Sequence, residues 1–184
     1  AWEALPSPGT REMGEIYFEE TEIQAYVVEL GQNVVKTIKG ITANIDIPEN
    51  SVKMPMYYRW DYAPMWIYKA PLSSVVDQGH MCWVTDDNYL KDYTLQRDIS
   101  GGYKKELLFM PTIRNARLFD DFSVLVTQHI MTESHYYFWK EMQEQTLGGV
   151  IFDSPPYNLQ TNLVSLNGQN RVIGYFGVVR EQAR

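Results

Sequence analysis

The amino-acid sequence predicts a mainly β protein, an antiparallel sandwich-like domain that carries one inserted amphipathic α-helix at about residues 132–147. Runs in which apolar and polar residues alternate recur along the chain, and glycine- or asparagine-containing turns separate several of them. A 3.6-residue period is clear in one stretch alone. With 184 residues, of which 45% are hydrophobic and 14% aromatic, the chain is long enough to bury a sizeable core.

The first strands are expected in the N-terminal quarter. Residues 1–23 form a polar leading segment with one short strand near 16–18, and residues 24–184 are predicted to form a single β-rich domain. Within 24–39, two β-branched runs flank Gly31, which favours a hairpin. Isoleucine and alanine then alternate with polar residues over 41–47, which predicts a further half-buried strand.

An aromatic stretch follows, and it is predicted to form two strands that pair with each other on either side of Ala63-Pro64. Alternation places one set of side chains in the core: Tyr58, Trp60 and Tyr62. The same alternation leaves Tyr57 and Trp66 as surface candidates, and exposed aromatic rings commonly stack on sugars or anchor a protein partner.

The segment 72–115 shows turn chemistry more than periodicity. Short strands are predicted at 81–84 and 107–109, and the rest is expected to be loop. Because long loops rich in aromatic residues are often functional, we expect this segment to contact a partner through Tyr89 and Tyr93, together with Trp66. The alternative is that its aromatic residues close the open end of the sandwich.

The stretch 119–156 predicts a strand, a helix cap, a helix and a stop. Phe122, Val124 and Val126 alternate along the strand, Thr132 is suited to cap the helix, and Gly148 is suited to end it. The predicted buried stripe of the helix consists of His135, Phe138, Trp139, Met142 and Thr146. Residues 163–166 and 172–179 flank an Asn-Gly turn and predict a closing hairpin.

Sequence chemistry favours binding over catalysis. A formal net charge of −7 without a cluster of Lys or Arg excludes the electrostatic footprint of a nucleic-acid-binding protein. His80 and Cys82 are a conceivable nucleophilic pair, but Cys82 is more simply interpreted as a small core residue. The Cys and His residues lack zinc-site spacing, and the aspartates at 86–92 lack the calcium-loop pattern, so we predict no catalytic residues, metal or cofactor. A Cys/His hydrolase and a carbohydrate-binding module that uses Trp66 and Tyr57 are the alternatives.

Four blocks of sequence stand out as a set. They are the YYRW motif at 57–60 with Trp66, the Cys82-Trp83 pair, the strand and helix over 122–139, and the ending formed by Gly149, Phe152, Pro155, Pro156, Asn162 and 174–176. In this order they resemble a known family of uncharacterised outer-membrane lipoproteins from Gram-negative bacteria. Together the blocks cover nearly the whole chain.

The resemblance implies a location and a partner. Members of this family are commonly found with SusC-like TonB-dependent transporters, and they have an immunoglobulin-like domain and a lipidated cysteine upstream of the matching region. The resemblance therefore implies a non-enzymatic accessory lipoprotein of the outer membrane, anchored by a lipid outside residues 1–184. Its implied partner is such a transporter, another outer-membrane subunit, or a glycan or peptide nutrient. The family offers no catalytic residues to transfer.

Overall fold

The computed structural model describes residues 11–51, 53–69, 81–85, 93–112, 122–147, 159, 161–168 and 172–184. These residues form eight strands and one helix: β1 (Ile16–Glu29), β2 (Gln32–Ile47), β3 (Met56–Lys69), β4 (Met81–Thr85), β5 (Tyr93–Asp98), β6 (Tyr103–Pro111), β7 (Phe122–Met131), α1 (Glu133–Leu147) and β8 (Arg180–Ala183). All strand pairs are antiparallel. The predicted mainly β, sandwich-like fold with one helix is confirmed.

A three-stranded sheet is built on a long hairpin. β1 and β2 pair along their whole length, from Ile16 opposite Ile45 to Glu29 opposite Gln32, and Leu30-Gly31 forms the turn with both residues at positive φ. The predicted hairpin is confirmed, and the short strands expected at 16–18 and 41–47 are continuous with it. β6 pairs with β2 only over residues 40–47, so the hairpin extends beyond the third strand.

A second sheet of five strands is centred on β3. β7 pairs along one side of β3 and carries β8 beyond it, while β5 and β4 share the other side. The prediction of two aromatic strands that pair with each other is wrong, because one strand runs through Pro64. Along this side of β3, residues up to Asp61 pair with β5 and residues from Met65 onward pair with β4. Pro64 lies in the gap between these two partner strands. A proline donates no backbone hydrogen bond, so a break in the ladder accommodates it.

The main core lies between the two sheets. Trp60 and Val126 are 0% exposed, and the indole Nε1 of Trp60 donates a 3.0 Å hydrogen bond to Oε1 of Gln128. The cluster consists of Met13, Ile45, Ile47, Tyr58, Trp60, Leu107, Val126 and Ile130. The predicted burial of Tyr58 and Trp60 is confirmed, and Tyr62 and Met56 pack at the margin of this cluster.

The predicted domain boundary at residue 24 falls inside β1.

Helix α1 covers the opposite face of the five-stranded sheet. Its predicted span is confirmed, and His135 and Phe138 of the predicted stripe are buried. Thr146 is exposed instead, and its hydroxyl donates to the carbonyl oxygens of Met142 and Gln143 in the preceding turn. Tyr136, which was not in the predicted stripe, is buried instead. Among the described residues no helix is both long and apolar enough to cross a membrane.

Two expectations about irregular regions need correction. Much of 72–115 is not loop: β5 was not predicted, and β4 and β6 are longer than expected. Conversely, the described residues of 161–168 and 172–179 contain no strand. Side chains hold these two segments together instead, since the Asn162 amide bonds both the N–H and the C=O of Phe176.

Candidate functional site

A network of charged side chains lies on the face of β3 that α1 covers. The guanidinium of Arg59 donates two hydrogen bonds to the carboxylate of Asp61, 2.7 Å from Nε to Oδ1 and 2.6 Å from Nη2 to Oδ2. On β7, Nε2 of His129 lies 3.1 Å from Oδ2 of Asp61, and its Nδ1 lies 3.7 Å from a carboxylate oxygen of Glu181 on β8. The network therefore ties three adjacent strands together by their side chains.

The aromatic side chains of β5 and α1 cover this network. The guanidinium carbon of Arg59 lies 3.8 Å from the ring centre of Trp139 and 5.0 Å from that of Tyr93. The Tyr93 hydroxyl donates to the backbone carbonyl of Trp139, and the side-chain amide of Gln143 donates to that of Tyr93. Arg59 is thus enclosed between a carboxylate and two rings, and α1 is fixed on the sheet.

His135 extends the network along the helix. Its Nε2 accepts a 2.9 Å hydrogen bond from the indole N–H of Trp139, and its ring stacks on Tyr175 with 4.7 Å between centres. Accepting that bond places the neutral ring's proton on Nδ1, which is buried, has no hydrogen-bond partner among the described residues and faces the backbone of Gly177. A methyl group at position 177 would meet Nδ1 at 2.8 Å, so only glycine fits there.

The surroundings shift the pKa values of Asp61 and His135 in this network. Burial alone raises the pKa of Asp61, but the hydrogen bonds from His129 and Arg59 and the charge of Arg59 bring it below its ordinary value. Burial lowers the pKa of His135, and the positive charges of Arg59 and His129 lower it further. The folded state therefore favours charged Asp61 and neutral His135.

The arrangement is suited to holding the helix in place. Asp61 and Arg59 satisfy each other, with side chains only 17% and 15% exposed, and His129 is engaged on both ring nitrogens. Within the described ranges no set of three or more His, Cys, Asp or Glu side chains is placed to hold a metal ion. The sequence pattern did not predict this network, although Arg59 and Asp61 occupy alternate positions opposite the buried Tyr58 and Trp60.

The four predicted contact residues have different environments. Tyr57 is not on the surface as expected: it is 7% exposed and packs against Tyr136 and Met131, because α1 covers the face that alternation assigned to solvent. Trp66 is half-buried in the middle of the sheet, opposite Val84 and Phe122. Tyr93 belongs to the network described above. Tyr89 lies outside the described residues.

The predicted Cys/His pair is only partly described. His80 lies outside the described residues. Cys82 is exposed on β4, which corrects its interpretation as a core residue. In β4 the neighbouring Trp83 is also exposed, because this short strand pairs over only five residues at the margin of the sheet.

The part of the β1–β2 hairpin beyond β6, residues 23–38, is a further candidate site, and we call it the arm. Apolar side chains there are widely exposed, including Tyr26 at 81%, Val28 at 70% and Leu30 at 106%. Tyr26, Val28 and Val35 share one face, while Ile23, Val27, Val34 and Ile38 share the other. Leu30 occupies the turn at φ 50°, a conformation that disfavours a leucine. A leucine at a predicted turn is the sequence signal for this surface.

The described residues form a β-sandwich with α1 packed on the outer face of the five-stranded sheet. The chain belongs to the family described as Domain of unknown function (DUF4249), whose model matches residues 3–184. This confirms the predicted resemblance as far as an uncharacterised domain family. No curated protein and no solved structure matches the chain.

Proposed function

We propose that the protein is a non-enzymatic accessory lipoprotein of the outer membrane, which binds a TonB-dependent transporter or the transporter's nutrient ligand. The arm is the observation that carries the binding role. Its apolar side chains are exposed on both faces of a two-stranded ribbon that the rest of the described protein does not cover. Contiguous apolar surface of this kind usually marks an interaction site.

The conformation of Leu30 adds to this argument. A left-handed backbone costs a leucine roughly 1–2 kcal/mol, and its fully exposed side chain recovers nothing from packing in the free protein. Asparagine or glycine would suit such a turn better. An apolar side chain at this position makes physical sense when a partner buries it.

The charged network supports a binding role over a catalytic one. The carboxylate of Asp61 is occupied by Arg59 and His129, and α1 covers the face on which they lie. A general acid or base must instead reach a substrate. The outer-membrane location and the transporter come from the family resemblance.

The experiment is co-purification from cells that naturally contain the protein, produced from its full-length gene. We expect it in the outer-membrane fraction, labelled by a palmitate analogue, and mild-detergent extraction to recover a TonB-dependent transporter with it. A triple variant of the arm, Tyr26→Ser with Val28→Ser and Leu30→Asn, should stay lipidated and folded yet lose the transporter.

A matched control changes exposed apolar side chains elsewhere. Val164 and Leu166 are 85% and 105% exposed, so Val164→Ser with Leu166→Asn removes similar surface outside the arm. This variant should keep the transporter. An unlipidated parent protein in the soluble fraction would contradict the lipoprotein proposal, and a parent that recovers no transporter would contradict the transporter interaction.

A further inference from the structure

We propose that β1 binds its partner by strand addition, accepting an extended segment in which basic and apolar residues alternate along its free edge. The inference rests on the proposed binding function and names the chemistry of the partner. Among the described residues β1 pairs only with β2, which leaves the other edge of a 14-residue strand open. Such an edge presents unpaired backbone donors and acceptors to a further strand.

The register shows which backbone groups face the free edge. The carbonyl oxygen of Lys39 accepts a 3.0 Å hydrogen bond from the N–H of Thr112, so this carbonyl group points away from β1. In an antiparallel ladder the residue opposite points away as well, and Glu22 is opposite Lys39. By alternation Gln24, Tyr26 and Val28 also point their N–H and C=O groups outward.

The side chains along β1 specify the added strand. Every charged residue of β1 is a glutamate: Glu19, Glu20, Glu22 and Glu29. Glu20 and Glu22 lie on one face, which Tyr26 and Val28 continue toward the turn. Glu22 pairs with Lys39, whereas Glu20 forms no ion pair within the described part of the chain. The opposite face carries Ile23, Ala25 and Val27 between Glu19 and Glu29, which pair with Lys104 and Lys36. A strand with basic residues opposite Glu20 and Glu22 and apolar residues opposite Ile23, Ala25 and Val27 complements this arrangement.

The backbone and the charge also decide against two other occupants. A lipid interior offers no hydrogen bonds to the open edge, and each unsatisfied backbone group there is costly. A second copy of β1 brings four more glutamates to the same edge, and like charges across a strand pair are destabilising. A basic segment of a different protein satisfies both requirements.

The test uses a defined probe, a fluorescent peptide of about ten residues with alternating lysine and valine, long enough for one strand. We expect saturable binding by fluorescence anisotropy at low salt, and none by a glutamate–valine peptide. Gln24→Pro removes one outward N–H and should weaken binding about fivefold, since one hydrogen bond contributes roughly that factor. Gln24→Val keeps the N–H and should bind within about twofold of the parent.

Amide hydrogen exchange gives a second measurement that does not depend on how well Gln24→Pro folds. In the parent protein the peptide should slow exchange at Gln24, Tyr26 and Val28, while Ile23, Ala25 and Val27, whose N–H groups face β2, should change little. Protection of both sets alike, or of neither, would overturn strand addition. So would a dimer in sedimentation that Gln24→Pro abolishes, because a second copy would then occupy the edge.

The two proposals fail separately. If the transporter co-purifies but the peptide does not bind, strand addition is wrong and the proposed function stands. If the peptide binds with the expected exchange pattern but no transporter is recovered, the binding mode stands and the transporter is wrong.

Discussion

The face of β3 that α1 covers and the arm differ in which side chains they leave exposed to solvent. Beneath α1, Arg59 and Asp61 are enclosed and every charge meets a partner, because an unpaired charge at low dielectric is expensive. On the arm, Tyr26 and Leu30 are exposed to water, and neither belongs to a hydrophobic cluster of the described residues. An exposed apolar side chain costs the folded state little, since the unfolded chain exposes it too. Residues that hold the fold and residues free to bind therefore lie in separate regions.

The largest expected effect tests the enclosed region. Arg59→Ala leaves Asp61 without its bidentate partner beneath α1, and we expect it to lower the free energy of unfolding by about 3–5 kcal/mol. The arm offers a matched control in Lys36→Ala, which removes an ion pair to Glu29 whose side chains are 45% and 49% exposed. That change should cost less than about 0.5 kcal/mol. Equal losses for the two variants in urea unfolding would abolish the contrast.

A smaller effect concerns pH. Because the folded protein lowers the pKa of His135, the unfolded chain takes up the proton first as pH falls below the ordinary value of 6.5. The stability that His135 contributes is thus fully present above that pH and is lost as pH falls toward its lower folded value. Urea unfolding at a series of pH values should show this decline. His135→Gln, whose amide oxygen can still accept from Trp139, should remove it. An unchanged pH profile in that variant would rule out His135 as the cause.

The smallest expected effect lies at the tip of the arm. Leu30→Asn places a residue that tolerates the left-handed region where a leucine is strained, so the free energy of unfolding should stay the same or rise by up to about 1 kcal/mol. A thermal melt with the Val164→Ser control beside it checks this. A clear loss of stability would mean that Leu30 packs against the protein and that the arm belongs with the enclosed region.

Alternation along the chain predicted much of the fold and little of either site. It identified the hairpin, β7 and the burial of Tyr58 and Trp60, because period two fixes which side chains share a face. It could not say what covers the second face, and for that reason it left Tyr57 on the surface although α1 packs over it.

The sequence pattern did not predict β5, the network at Asp61 or the exposure of the arm, and the reasons are related. β5, with the sequence YTLQRD, shows no clear apolar alternation, and its buried Asp98 is satisfied by Arg11 from far away in the sequence. The network at Asp61 joins residues from three strands, so no local pattern contains it. On the arm, the two β-branched runs of 24–39 predict a hairpin but do not say how much of it is covered. That part of the hairpin stays exposed because β6 stops at the pair formed by Gly40 and Pro111.

The point at which β6 stops pairing also separates the arm from the packed core. Neither hydrophobic cluster among the described residues includes any residue of 23–38. Substitutions in distant, independent sites have additive effects, so the arm can acquire new side chains without repacking the core. A lineage could therefore change partners by altering a few positions near Leu30 while the sandwich and its helix stay the same.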